Sequence, residues 1–284
     1  MENTGHQNIR FAAEDGSFRF IHFRDEKPDP RGYTPHYESG YEIYMFISGD
    51  GSFTIEGGRY ELEPYSVMLL NSNELHVVNI SEQQPYERIV LMLNENVLPP
   101  FMLNGTHFFR AVKFRKPGHD NQIKAGIVRE SGLPELFDKL RQLSLQKDTE
   151  SEFVAKCIIV QILWTINRIA EIEQQPGSVK KVNPKIGEVL SFINANLHQN
   201  LDLDALTRIF FINKYHLCRT FKEVTGYSIH QYITYKRVRL ADELMLSGQP
   251  PTQACFMSGF NSYSNFFRSY RRLTGRSPKD AKSR

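Results

Sequence analysis

A chain of 284 residues is longer than one typical core requires and fits two domains of roughly 100–200 residues each. With 40% hydrophobic and 24% charged residues its composition is globular, which excludes a fibrous, collagenous or wholly disordered chain. The formal net charge of +3 conceals an asymmetry, since residues 183–284 hold 15 Lys and Arg against 7 Asp and Glu while residues 1–182 hold 20 against 25; a basic C-terminal half points to a polyanionic partner.

The polar start, Met1–Arg10, has no signal-peptide core. The apolar run Cys157–Trp164 is broken by Gln161 and falls short of the roughly 18 residues of a membrane helix, so no membrane and a cytoplasmic location are expected. Cys157, Cys218 and Cys255 are odd in number and far apart, which supports neither a disulfide framework nor a zinc knuckle.

Strand signals come first along the chain: Phe18–Phe23, Tyr41–Ile47, Ser52–Glu56, Ser66–Leu70, His76–Ile80, Tyr86–Leu93 and Phe108–Val112 are short, β-branched or aromatic, and separated by turn residues. So many short strands predict an all-β sandwich or barrel. Helical periodicity takes over near Leu133. Val154, Ile158, Ile162, Thr165, Ile169 and Ile172 form one stripe of period 3.6, and Ile159, Leu163, Ile166 and Ala170 a second beside it. An arc this wide suits a helix that faces its own domain and a second subunit, with Ile158, Ile162, Leu163 and Ile166 as homodimer anchors; a helix sunk in its own core shows the same width. Residues 174–182, with Gln-Gln-Pro-Gly-Ser and two lysines, read as a linker between a 1–173 domain and a 183–284 domain.

Beyond the linker the sequence repeats at an offset of 49 residues. Phe211 falls on Phe260, Asn213 on Ser262, Leu217 on Phe266, Arg219 on Arg268, Phe221 on Tyr270, Lys222 on Arg271, Thr225 on Thr274, Gly226 on Gly275 and Ser228 on Ser277. Asn213 and Ser262 suit N-caps, and Gly226 and Gly275 suit left-handed C-terminal stops, so each copy frames one short helix. Leu217, Phe221 and Val224, and in the second copy Phe266, Tyr270 and Leu273, are spaced to point inward. The opposite faces carry Lys214, Tyr215, Cys218, Arg219 and Lys222, then Tyr263, Ser264, Phe267, Arg268 and Arg271. Shorter helical stretches, Leu203–Ile209 and Thr252–Met257, precede the copies, which makes each a helix-turn-helix. Ile229–Leu246 between them predicts a strut of roughly 27 Å, comparable with the ~34 Å between successive major-groove openings on one DNA face. A plain helical interaction domain with a duplicated hairpin is the bland alternative.

Three segments resemble the AraC/XylS family of transcriptional regulators: Asn213–Gly226 as first recognition helix, Tyr232–Met245 as linker helix, and Gly259–Pro278 as second motif with its closing Gly-x-Ser-Pro. Pro250–Pro251 depart from the family's usual Ser-Ile, which a shifted helix start accommodates. The N-terminal strips His36-Tyr-Glu-Ser-Gly-Tyr-Glu42, Gly49-Asp-Gly51 and Leu69-Leu-Asn-Ser-Asn-Glu-Leu-His76 resemble the cupin-like effector domain of the same family. The resemblance implies two domains, an all-β cupin-like barrel followed by helices and then an all-α domain with two helix-turn-helix motifs joined by a linker helix. It implies a non-enzymatic activator of transcription, acting on double-stranded promoter DNA as a homodimer with RNA polymerase as a further partner and no cofactor. Its effector is a small molecule, a sugar or related metabolite, held by His36, Glu42, Tyr44 and His76 among aromatics such as Tyr41 and Phe46. Metal-dependent cupins place ligands where His36, Glu38, Glu42 and His76 lie, which keeps a cupin metalloenzyme with a basic helical appendage as the alternative.

Overall fold

The computed structural model describes residues 7–38, 40–98, 108–115, 117–146, 148–172, 180–181 and 183–282. Two compact units divide the chain, Met1–Lys180 and Lys181–Arg284. Within the predicted linker, Lys180 and Lys181 are extended and residues 174–179 and 182 lie outside the described residues.

In the first unit the strands β1 (Gln7–Ala12), β2 (Phe18–Asp25), β3 (Tyr41–Ser48), β4 (Gly51–Ile55), β5 (Gly58–Glu61), β6 (Val67–Leu70), β7 (His76–Ile80), β8 (Tyr86–Leu93) and β9 (Gln122–Ile123) form two antiparallel sheets. One runs in the order β1-β2-β8-β3-β6-β9; in the other, β4 lies between β5 and β7. Tyr44 and Phe46 of β3 join one core cluster while Ile43 and Met45 join another, so the first sheet is buried on both faces. Its inner face meets the second sheet; its outer face is covered by helices. The layout is cupin-like, but no ladder among the described residues closes the sheets into a barrel.

The helices of this unit are α1 (Arg110–Lys113), α2 (Ala125–Glu130), α3 (Leu133–Leu143) and α4 (Thr149–Ile172). The strand expected at Phe108–Val112 is replaced by α1. Asn167 of α4 explains the change, because its Oδ1 accepts from the Ala111 amide at 3.0 Å and its Nδ2 donates to the Phe108 carbonyl at 2.9 Å, engaging both backbone groups that a strand would have offered to a neighbour. On α4, the proposed dimer anchors Ile158, Ile162, Leu163 and Ile166 are all buried in the core of their own unit, with Phe137 and Leu140 of α3 in the same cluster. They are therefore unavailable to a second subunit. The large apolar residues α4 leaves exposed are Phe153, Val154, Trp164 and Ile172. By length and composition Glu150–Ile172 passes as a membrane span, and its packing against the sheet and α3 accounts for that apolarity.

The second unit is helical: α5 (Pro184–Ala195), α6 (Leu203–Phe210), α7 (Lys214–Thr225), α8 (Ile229–Leu246), α9 (Pro251–Met257) and α10 (Tyr263–Thr274). The strut α8 starts at a capping box in which Ser228 Oγ accepts from the Gln231 amide and Gln231 Oε1 accepts from the Ser228 amide. Pro250 is the N-cap of α9 and Pro251 its first residue, where the missing amide hydrogen costs nothing.

Candidate nucleic-acid interface and effector site

The two copies of the repeat fold alike. Asn213 Oδ1 accepts from the Tyr215 amide at 2.9 Å, and Ser262 Oγ from the Asn265 amide at 3.5 Å. At the other ends Gly226 and Gly275 have φ of 78° and 74°, and their amides donate to the carbonyls of Lys222 and Arg271. Leu217, Phe221 and Val224 are buried, as are Phe266 and Tyr270, while Leu273 is half-buried.

Of the face predicted on α7, Lys214, Tyr215, Arg219 and Lys222 are exposed and Cys218 is half-buried. Lys214 Nζ lies 2.8 Å from Asp204 and Arg219 Nε 2.8 Å from Glu223. Exposed pairs of this kind are worth little, so both cations can exchange partners. On α10, Ser264, Arg268 and Arg271 are exposed. Tyr263 and Phe267 are half-buried, and the Tyr263 ring rests 5.7 Å from Phe266, which makes it partly a core residue. A cleft of about 600 Å³ separates α8 from the second motif, lined by His230, Arg237, Asn265, Arg268 and Arg272 among others. Arg272 was missed by the sequence reading, yet the repeat signals it: the offset sets it against Glu223, so the second copy is basic where the first is acidic.

In the first unit the structure brings His36 and His76 together. Their backbones exchange hydrogen bonds of 3.0 and 3.2 Å, and their rings lie 4.5 Å apart. His36 Nδ1 donates to the Thr34 carbonyl at 2.8 Å and His76 Nδ1 to the Glu74 carbonyl at 2.9 Å; a carbonyl only accepts, so each Nδ1 carries the proton. Burial, reinforced by nearby His36, pushes His76 down to about 4, which keeps it neutral. The hydrogen bond to Glu38 pulls His36 the other way, above the usual histidine value. Glu42 is buried, and desolvation together with the Glu38 charge pushes its carboxyl up to about 7.

Tyr44, two residues on, shares the inner face with Glu42, and its hydroxyl is bonded to Tyr86 at 2.6 Å inside the core. Phe46 is buried beside it. Tyr41 points to the other side of the sheet, against Phe109 at 4.8 Å. The sequence reading also missed Arg88, which follows Tyr86 on the inner face of β8. Its guanidinium lies 4.5 Å from the Phe23 ring centre and 4.9 Å from that of Tyr86, and it donates to the Tyr33 hydroxyl.

Comparison with known proteins adds to this geometry. Residues 21–163 match the model of an AraC-like ligand binding domain, and residues 206–284 that of a helix-turn-helix domain. The probable transcriptional regulator LumQ of Photobacterium leiognathi is 24% identical over 90% of this chain and 94% of its own. The uncharacterised HTH-type transcriptional regulator YbfI of Bacillus subtilis is 24% identical over 81% of this chain and 80% of its own. Among solved structures, ToxT of Vibrio cholerae is 14% identical, covers 94% of this chain and 98% of its own, and aligns with a TM-score of 0.38. With its ligand-binding domain followed by a DNA-binding helix-turn-helix domain, the chain belongs to the AraC family of transcriptional regulators.

Proposed function

We propose that the chain is a cytoplasmic, effector-controlled activator of transcription, without enzymatic activity, whose 183–284 domain reads promoter DNA through α7 and α10. The observation that carries this reading is the matched pair of capped helices, each with an exposed cationic face, set at the two ends of one strut. Arg219 and Arg268 occupy corresponding exposed positions and suit bidentate pairing with guanine, whereas Lys222 and Arg271 suit phosphate. The 1–173 domain holds a small polar effector, such as a sugar or related metabolite, at the His36–Glu42–His76 end of the sandwich. Dimerisation would use the side of α4 that carries Trp164, and the active dimer would recruit RNA polymerase. An electrophoretic shift with the DNA upstream of the protein's own gene tests the DNA reading. Arg219→Ala and Arg268→Ala should each weaken binding about 10- to 100-fold at that site; unchanged affinity in both would overturn it.

A further inference from the structure

We propose that His36, Glu38 and His76 form a binding site for a divalent transition-metal cation of the zinc or cobalt type. One potential ligand atom from each residue lies within 4.8 Å of those of the other two, and His36 Nε2 is already 3.4 Å from Glu38 Oε1. Bonds of about 2.0–2.2 Å at tetrahedral angles separate ligand atoms by roughly 3.4 Å, so closing on an ion needs only small side-chain shifts.

The two imidazoles are oriented for this task. Each commits its Nδ1 proton to a backbone carbonyl, of Thr34 or Glu74, which fixes the tautomer and leaves the Nε2 lone pair as the ligand; this is the outer-shell support that metal-bound histidines require. The reciprocal backbone bonds between His36 and His76 fix the spacing of the two rings. An ordinary ion pair accounts for His36 and Glu38 but not for His76. That residue is 1% exposed, and its Nε2 is a buried polar atom with no hydrogen-bond partner among the described residues. A cation satisfies it. Two imidazoles and a carboxylate suit a borderline divalent ion, and three protein ligands leave a coordination position for water or for an oxygen of a further ligand. The bound ion would also fasten the segment around His36 to β7. The inference goes beyond the effector reading above and stands whether or not an organic molecule binds there.

The test uses the full chain, freed of metal by chelation and titrated with Co²⁺ and then Zn²⁺. Expected are one Co²⁺ per chain with visible absorption of low-coordinate cobalt, displacement by Zn²⁺, and a higher melting temperature with Zn²⁺. His36→Gln and Glu38→Gln, both at accessible positions, should each weaken Co²⁺ binding about tenfold or more and abolish the thermal shift, while His198→Gln, outside the cluster, changes neither. Absence of binding, undiminished affinity in either cluster variant, or thiolate charge-transfer absorption placing the ion on a cysteine would overturn the proposal. The DNA shift of the same preparations reports separately on the regulator reading, so failure of one is distinguishable from failure of the other.

Discussion

Glu74 shows how one carboxylate organises a domain edge. Its side chain is 2% exposed; Oε1 accepts from the Gly118 amide at 2.8 Å, and Oε2 accepts from the Asn71 amide at 2.8 Å, Asn121 Nδ2 at 3.0 Å and Arg115 Nη2 at 3.2 Å. Removing one partner of a buried pair leaves the other uncompensated, so Glu74→Ala should cost about 3–5 kcal/mol in urea unfolding of the first unit. The same network presents the Glu74 carbonyl to His76, so this variant should also disturb the His36–His76 pair. A weaker charge contact ties the β1–β2 turn to α4, where Asp15 meets Lys156 at 2.8 Å. The hydrogen bond from Lys156, with help from Ser17, pulls Asp15 from 3.8 to about 2. A lowered folded value stabilises above the unfolded one and is lost as pH falls through the folded one. Thermal stability should therefore drop between pH 4 and 2, modestly because half of the carboxylate is exposed, and Asp15→Asn should flatten that slope. Neither residue announces itself in the sequence. The caps Asn213 and Ser262 do, because a cap and its target amides lie within three residues; of the four partners of Glu74 only Asn71 is local, and Arg115, Gly118 and Asn121 lie 41 to 47 residues away.

Elements were legible where their signal is local and repeated. The strut α8 begins and ends at the expected residues because its capping box and inward spacing are written in one continuous stretch. Strand β5 and helix α5 were missed: four residues of β5 depend on a ladder with β4, and α5 has no counterpart in the repeat. On α4 the width of the apolar arc was legible but left two causes open, a second subunit or its own core, since periodicity records that two faces are covered without recording by what; burial of Ile158, Ile162, Leu163 and Ile166 favours the core. The joint between the two helix-turn-helix motifs was likewise invisible, although its residues are conspicuous in the structure. Arg237 of α8 donates to the carbonyls of Leu197 at 2.9 Å and Gln199 at 2.7 Å, at the end of the first motif's supporting helix. Gly259, in the turn of the second motif, abuts the same Leu197 carbonyl with φ of 93°; a Cβ there would lie 2.0 Å from that oxygen. Gly259→Ala must both adopt a left-handed backbone and push the motifs apart, which should cost about 2–4 kcal/mol. Because the spacing of α7 and α10 depends on this joint, DNA affinity should fall more than in a variant of equal instability made elsewhere in the unit, such as Leu206→Ala. Equal losses in the two would show that the joint does not set the spacing.

At the scale of the whole molecule, charge is divided as the domains are. The basic excess lies in the unit that meets a polyanion, and the acidic excess in the unit that holds the ligand site. An effector alters DNA binding only by favouring one arrangement of the chain over another, with a coupling of about 1–3 kcal/mol in typical systems. The electrostatic part of DNA binding, by contrast, is expected to come from residues 183–284, where the basic excess lies. Five cations on the two recognition faces are exposed: Lys214, Arg219, Lys222, Arg268 and Arg271. Two of them, Lys214 and Arg219, are partly neutralised by Asp204 and Glu223. If those pairs open on DNA, neutralising five phosphates gives a slope of log affinity against log salt of about −4.5; if they stay closed, three phosphates give about −2.7. Exposed ion pairs hold weakly and a phosphate competes directly for the cation, so the steeper slope is expected. Affinity of the 183–284 fragment for its upstream DNA should then fall about 500-fold between 50 and 200 mM salt. Asp204→Asn and Glu223→Gln remove the competing carboxylates and should raise affinity at low salt while leaving a slope of about −4.5. A wild-type slope near −2.7 that steepens in these variants would show that the pairs persist on DNA, and a slope near zero would remove both faces from the interface.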